Sequence, residues 1–388
     1  MAKTFFEQYT KDLDAGDFHR LFTRDTPEAY RYFTRTLDLE KLNSLPWYRK
    51  WPITARLVFI AFAMRLSPAR RALYGLAVAA ALLGIVMLYA GVHRVKILLF
   101  PLTVHVPLPT WEDGALWLFA AFVTVNLLIL MEVADRLSLK GDLEIARDIQ
   151  LAMLPGGIHT AGDATVSGVT RPANTVGGDF YDVLVRPDGR LVLALGDVAG
   201  KGSPAALLMA LLLASLRTLV DEDLEMATLV ARLNVQVHRH SPRSRFITLF
   251  IGLYDPRDGR LEFVNAGHLP PLLRRRDGRI HRLGVDDAER IGPEGGGLAL
   301  GMFDHATYAT QQATVEPGDL LVFYSDGITE AENPAGEPFE EAGLERFIAA
   351  RGSESPAALA PAILQAVESH ARDSRFTDDL TALILKRA

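Results

Sequence analysis

The sequence predicts an α+β domain preceded by a transmembrane helical hairpin and a linker helix, and three observations carry that prediction. Two long runs, 73–92 and 114–131, contain no charged residue. Beyond residue 155 the pattern changes to short β-rich runs alternating with a few helices. The roughly 230 residues left for that part are ample for one domain with a large core. With 388 residues, 49% hydrophobic and 23% charged, the chain is sized for two or three domains and is too apolar for a disordered segment. It has no cysteine and a formal net charge of −6, which excludes a disulfide framework, a thiolate metal site and a cysteine nucleophile. A reducing, cytosol-facing compartment fits this composition.

Residues 1–72 form a basic N-terminal region, with 13 Lys and Arg against 8 Asp and Glu. From Lys41 to Arg71 there are seven basic residues and no acidic one, a pattern suited to a membrane-surface face. LYGLAVAAALLGIVMLYAGV (73–92) is then 20 residues of uncharged sequence, enough at about 1.5 Å per residue to cross a hydrocarbon core of about 30 Å. GALWLFAAFVTVNLLILM (114–131) is the second span, with Trp111 and Trp117 where an interfacial aromatic belt would place them. Between them, Pro101, Pro107 and Pro109 break an apolar stretch that reads as an interfacial or external loop. Basic residues cluster before the first span and after the second, which places both ends in the cytoplasm.

Residues 132–155 read as a linker helix stopped by Pro155. Leu143, Ala146, Gln150 and Met153 recur at alternating three- and four-residue spacing, an imperfect coiled-coil signal interrupted by Gly141, so a homodimer through this helix is one expectation. Within 156–388, segments 190–197, 245–254, 260–266, 318–326 and 380–386 read as strands. Segment 204–220 is expected to be a buried helix, with further helices at 224–238, 340–350 and 356–371.

The chemistry concentrates where acidic residues meet glycines at strand ends: Asp179 in VGGDFYD (176–182), Asp197 in LGDVAGKG (195–202), Asp326 in YSDGITEA (324–331), and Asp378 with Asp379 in TDDLTALIL (377–385). Any one of them reads as a turn or a cap. Brought together by a sheet they would repel one another unless cations neutralised them, and an all-oxygen set suits Mg²⁺ or Mn²⁺. Two such ions can share a water of lowered pKa and clamp a phosphoryl group. GDVAGKGS fails as a phosphate loop, because only three residues separate Gly196 from Gly200 and Gly202 follows Lys201. His268 in NAGHLPP (265–271) is a weaker acid–base candidate, since a histidine in a turn is more often structural.

The order of IARDIQLAMLP, PANTVGGDFYD, GDVAGKGSPAALLMA, FVNAGHLPPLL, YSDGITEA and DDLTALIL resembles the stage II sporulation E-type and RsbU-like members of the PPM (type 2C) serine/threonine phosphatases, from about Leu143 to Leu385. The resemblance implies a PPM-type β-sandwich flanked by helices. It also implies a bacterial inner-membrane protein with its catalytic domain in the cytoplasm, and two Mn²⁺ or Mg²⁺ ions. By the same resemblance Asp197 bridges the ions, Val198 supplies a carbonyl ligand, and Asp179, Asp326 and Asp378 complete the set, with Asp197 and Asp179 catalytic. Asp182 and Asp379 are then neighbours whose loss should cost much less than that of a ligand. An arginine that larger relatives place shortly before the first metal aspartate has no close counterpart: Arg171 lies eight residues upstream of Asp179, and Lys201 is the other candidate for a phosphate contact. The substrate implied is a phosphoserine or phosphothreonine protein of the STAS-type anti-anti-sigma class, with no nucleic-acid partner. Two other readings remain: a catalytically silent interaction protein of the same fold, and a two-metal nucleotide cyclase.

Overall fold

Strands whose two faces are both buried read as continuous apolar runs, and Leu191–Val198, Ile247–Tyr254, Leu320–Tyr324 and Leu380–Arg387 follow that rule. In the computed structural model the described residues are 66–388, apart from 91, 100–101, 110–111, 243–244, 286–296 and 373–375, together with isolated positions between 53 and 64. Most of the basic N-terminal region, and Trp111 and Pro101 of the inter-span segment, lie outside them. The chain divides into two units, Met1–Ser138 and Leu139–Ala388.

The first unit contains helix α1 (Pro68–Ala90), a two-stranded antiparallel ribbon of β1 (Val92–Leu99) and β2 (Leu102–Pro109), and the start of α2 (Glu112–Met153). Where an irregular loop was expected, the backbone pairs in register from Val92 with Pro109 to Leu99 with Leu102. A ribbon satisfies its own backbone groups, and prolines are tolerated on its edges. α1 and the first part of α2 are each long and apolar enough to cross a membrane. Leu76, Leu116, Phe119 and Phe122 are exposed on them, as lipid-facing side chains would be. The two helices touch at glycines: a Cβ at Gly114 would lie 2.8 Å from the Gly84 carbonyl oxygen. Arg70 ties them again through Asp135 at 2.7 Å and Glu132 at 3.4 Å.

α2 is a single helix of 42 residues, so the second span and the linker are continuous and Gly141 does not interrupt them. One isolated glycine costs only about 1 kcal/mol in a helix, too little to break one this long.

The second unit has four layers. A five-stranded antiparallel sheet runs in the order β11-β8-β7-β6-β5 and faces a six-stranded one in the order β10-β9-β12-β13-β4-β3. The strands are β3 (Ile158–Ala161), β4 (Ala164–Arg171), β5 (Phe180–Val185), β6 (Leu191–Val198), β7 (Ile247–Tyr254), β8 (Arg260–Ala266), β9 (Leu272–Arg274), β10 (Ile280–Arg282), β11 (Gln311–Thr314), β12 (Leu320–Tyr324) and β13 (Leu380–Arg387). Helices α3 (Ser203–Val220) and α4 (Met226–His240) cover the first sheet. The one-turn α5 (Asp326–Thr329) follows β12, and α6 (Glu340–Arg351) and α7 (Pro356–Ala371) cover the second sheet.

Alternation along each strand sorts side chains between layers. Leu191, Leu193 and Leu195 of β6 enter the core between the sheets, whereas Val192, Ala194 and Val198 pack under α3 and α4. Leu321 and Phe323 of β12 join the same inter-sheet core, and Leu320, Val322 and Tyr324 face α6 and α7. Phe250 stacks on Phe263 at 5.1 Å and meets Phe323 edge-on at 5.3 Å, joining the sheets through aromatic contacts. Each such side chain contributes about 1.5–3 kcal/mol on burial. The 18-residue α3 is also apolar enough to cross a membrane, but seven of its residues are buried in this core, as expected for a buried helix.

Candidate active site

Pairing brings four strand ends to one edge of the sandwich. Phe180 pairs with Gly196, so Asp179 lies opposite Asp197 in the first sheet. In the second, Tyr324 pairs with Ala382, which sets Asp326 beside the Asp378–Asp379 step. Each sheet thus contributes acidic residues to the same end.

Asp379 joins the two sheets. Its carboxylate accepts hydrogen bonds from the backbone N–H groups of Ala173 at 2.7 Å, Gly178 at 2.7 Å and Asp179 at 3.3 Å. It is therefore a buried structural tie and not merely a neighbour of the proposed ligand, a role the sequence reading did not give it. The double glycine follows from this closeness. A Cβ at Gly177 would come within 2.3 Å of the Asp379 carboxylate, and one at Gly178 would meet Asp197 Oδ1 at 2.8 Å and the Val198 carbonyl oxygen at 2.9 Å. Behind them, Ser325 Oγ donates to the Asp379 carbonyl oxygen and accepts from the Thr381 N–H.

Asp182 also has a structural role. It is 1% exposed and holds the Arg217 guanidinium at 2.8 Å, and Arg217 in turn donates to the Met153 carbonyl oxygen at the end of α2. Nothing in its place in the sequence showed this, because its partner is 35 residues away on α3.

The carboxylates interact strongly. Asp179 is 3% exposed, its Oδ2 has no hydrogen-bond partner among the described residues, and its pKa is pushed well up, first by burial and then by the charges of Asp197 and Asp379. Asp197 is pushed up to about 7 by burial, then by Asp326, Asp378 and Asp379. Asp326 is raised as well, by burial and then Asp378. These are the marks of anionic oxygens gathered without enough positive charge. Among the described residues no three His, Asp or Glu side chains converge to chelating distance. The Lys201 ammonium takes Asp378 as its partner at 2.9 Å while donating to the Thr377 carbonyl oxygen.

The two candidate phosphate contacts are thus both engaged, Lys201 as described and Arg171 with Glu368 and the Phe376 ring. His268 is buried, with Nδ1 3.0 Å from Thr248 Oγ1, and burial lowers its pKa to about 4. It is neutral at pH 7, and its backbone is fixed by Asn265, a structural turn. A cleft of about 320 Å³ opens beside Asp378, lined by Gly327, Glu330, Glu332, Phe376 and Thr377. A larger groove of about 860 Å³ between α3, α4 and Tyr308 contains none of the clustered carboxylates.

Gln150 was legible only as a linker-helix position. The structure adds its partner: it is 5% exposed, its Nε2 donates to the Gly177 carbonyl oxygen at 2.7 Å and its Oε1 accepts from the Gly177 N–H at 3.1 Å. α2 is therefore hydrogen-bonded directly to the loop carrying Asp179.

Two facing antiparallel sheets between helical layers, with acidic strand ends at one edge, define the PP2C-like class. The chain belongs to the stage II sporulation protein E (SpoIIE) family, whose model matches residues 187–388. Over 290 residues it is 29% identical to Protein IcfG of Synechocystis, covering 68% of this chain and 44% of that protein. It is 26% identical over 250 residues to the phosphoserine phosphatase RsbU of Bacillus subtilis, covering 64% of this chain and 71% of RsbU. The SiaA-PP2C domain of Pseudomonas aeruginosa has the same fold, with a TM-score of 0.54 at 20% identity over 65% of this chain and 98% of that domain.

Proposed function

We propose that the chain is a membrane-anchored, metal-dependent protein serine/threonine phosphatase whose substrate is a phosphorylated regulator of the STAS type. The observation that carries the reading is the cluster of Asp179, Asp197, Asp326 and Asp378, with Asp179 Oδ2 buried and unpartnered. A buried carboxylate oxygen without a donor is costly unless a cation meets it, so these residues fit a hard divalent ion. Asp179, Asp197, Asp326, Asp378 and the Val198 carbonyl would hold Mn²⁺ or Mg²⁺, two ions in this reading. When bound, these ions supply a water of lowered pKa and positive charge against phosphoryl oxygens.

The chain's own residues prepare the site. Asp379 fixes the Gly178–Asp179 peptide and thereby the direction of the Asp179 carboxylate, and Ser325 and Thr381 hold the facing strand end. Asp197 has to be ionised to act as a ligand, and with its pKa at about 7 a bound cation must displace a proton, so metal affinity rises with pH. The likeness to a phosphoserine phosphatase supports a phosphoprotein as substrate. The apolar α1 and α2 support a multi-pass anchor with the second unit in the cytoplasm. Exposed Ile145 and Ile149, one turn apart on α2, support a homodimer through the linker.

The test is turnover by the full chain in lipid nanodiscs with Mn²⁺, offered a phosphoseryl protein, GTP and ATP. Phosphate release from the phosphoprotein, abolished by EDTA and restored by Mn²⁺, is expected. Cyclic nucleotide would replace this reading with a cyclase, and no turnover with a silent scaffold.

A further inference from the structure

Phosphate recognition is the function left without a residue, since Lys201 and Arg171 are both held by acidic partners. A third cation reaches the same loop from a direction the sequence does not show. Antiparallel pairing sets Asp197 opposite Thr248 and Val198 opposite Ile247, and the Ala199 N–H donates to the Phe246 carbonyl oxygen. Continued by one residue, that register sets Arg245 against Gly200.

The Arg245 side chain lies on the glycine loop. Its Nη1 donates to the Ala199 carbonyl oxygen at 3.1 Å, and a Cβ at Gly200 would lie 2.5 Å from that nitrogen and 3.2 Å from the guanidinium carbon. Gly200, with φ of 102°, accepts this close approach because it has no side chain. The loop in turn abuts the carboxylate cluster: the point where a Gly178 Cβ would sit lies 2.8 Å from Asp197 Oδ1, 2.9 Å from the Val198 oxygen and 3.6 Å from the Gly200 oxygen. Arg245 is half-buried, and among the described residues it has no carboxylate partner. The residue's backbone is held as well, with its N–H donating to the Pro242 carbonyl oxygen.

A guanidinium has five N–H donors in a planar fork, and one hydrogen bond to a carbonyl leaves most of them for another acceptor. On a loop that borders the carboxylate cluster, an arginine with no carboxylate partner among the described residues suits a dianionic phosphoryl group, which it can bind bidentately. We infer that Arg245 binds the phosphoryl oxygens of the substrate. This inference rests on the phosphatase reading above.

The test uses the full chain in nanodiscs with Mn²⁺, p-nitrophenyl phosphate as substrate and inorganic phosphate as competing ligand. Arg245→Ala should raise KM and weaken inhibition by phosphate, each about tenfold, the equivalent of about 1.4 kcal/mol for a charge-assisted hydrogen bond. Arg245→Lys should recover part of both, and the Mn²⁺ concentration for half-maximal activity should stay at the wild-type value. If the alanine variant does not fold, Arg245→Gln, whose amide can still donate to Ala199, carries the same comparison. Unchanged KM and phosphate inhibition in a folded variant, or a shift in Mn²⁺ requirement alone, would overturn the assignment while leaving the phosphatase reading standing. A wild-type chain without turnover would overturn both.

Discussion

Asp197→Asn, Asp179→Asn, Asp326→Asn and Asp378→Asn each remove the full negative charge of a residue proposed to hold the cations. A loss of several kcal/mol of charge stabilisation corresponds to about 10²–10⁴-fold in rate, measured as Mn²⁺-dependent phosphate release. Melting temperatures of these variants should hold or rise in EDTA, because one of several repelling charges is gone. Asp379→Asn and Asp182→Asn should behave in the opposite way. Asp379 gathers three backbone donors and Asp182 pairs with Arg217, so each substitution should cost about 1–3 kcal/mol of stability, read by thermal melting. A pH effect follows from Asp197, whose pKa is raised from 3.8 to about 7 in the folded chain. Such a group binds its proton more tightly when folded, so its stabilising contribution is complete below the unfolded value and is lost as pH rises through the folded one. Metal-free protein should therefore melt lower at pH 8 than at pH 5, and Asp197→Asn should flatten that difference. An equal pH slope in the two proteins would remove Asp197 as its source.

α2 is the element proposed as a lever on the site. Its Gln150 forms two hydrogen bonds with Gly177, and Arg217 holds the helix end through the Met153 carbonyl. An element that couples two sites needs two arrangements that each site biases. Gln150→Ala removes both of those hydrogen bonds and leaves the helix intact. It should shift the Mn²⁺ concentration giving half-maximal activity in a chain that still folds, with about 1–3 kcal/mol of stability lost with the buried hydrogen bonds. An unshifted metal requirement would rule out α2 as a lever on the Asp179 loop.

Topology is a property of the whole molecule, and the cysteine-free chain makes it simple to read. A single cysteine at Thr103, in β2 between the two apolar helices, should react with a membrane-impermeant thiol reagent in intact cells. One at Lys140 should be protected until the membrane is opened. The Arg70 pair with Asp135 already sets the start of α1 near the part of α2 that follows its apolar run. Labelling of both positions from the same side would exclude the hairpin.

The sequence alone determined the elements that obey a local rule. Uncharged length marked α1 and the first part of α2, and alternating or continuous apolar runs marked β6, β7, β8, β12 and β13. The family's motifs sat at the strand ends where the structure gathers Asp179, Asp197, Asp326 and Asp378. Short strands such as β3, β9 and β11 were not legible, because three or four residues carry no period of their own and exist only by pairing with a neighbour. The linker helix was legible through Gly141, but its continuity with the apolar run before Glu132 was not, because the change from apolar to charged residues breaks the pattern without ending the helix. Only the tertiary structure showed that Asp379 ties the sheets and that Asp378 pairs with Lys201, and only it set Arg245 on the Gly200 loop. Those contacts join residues 46 to 201 positions apart in the chain, and a hydrogen bond across that distance leaves no periodicity in the sequence to be read.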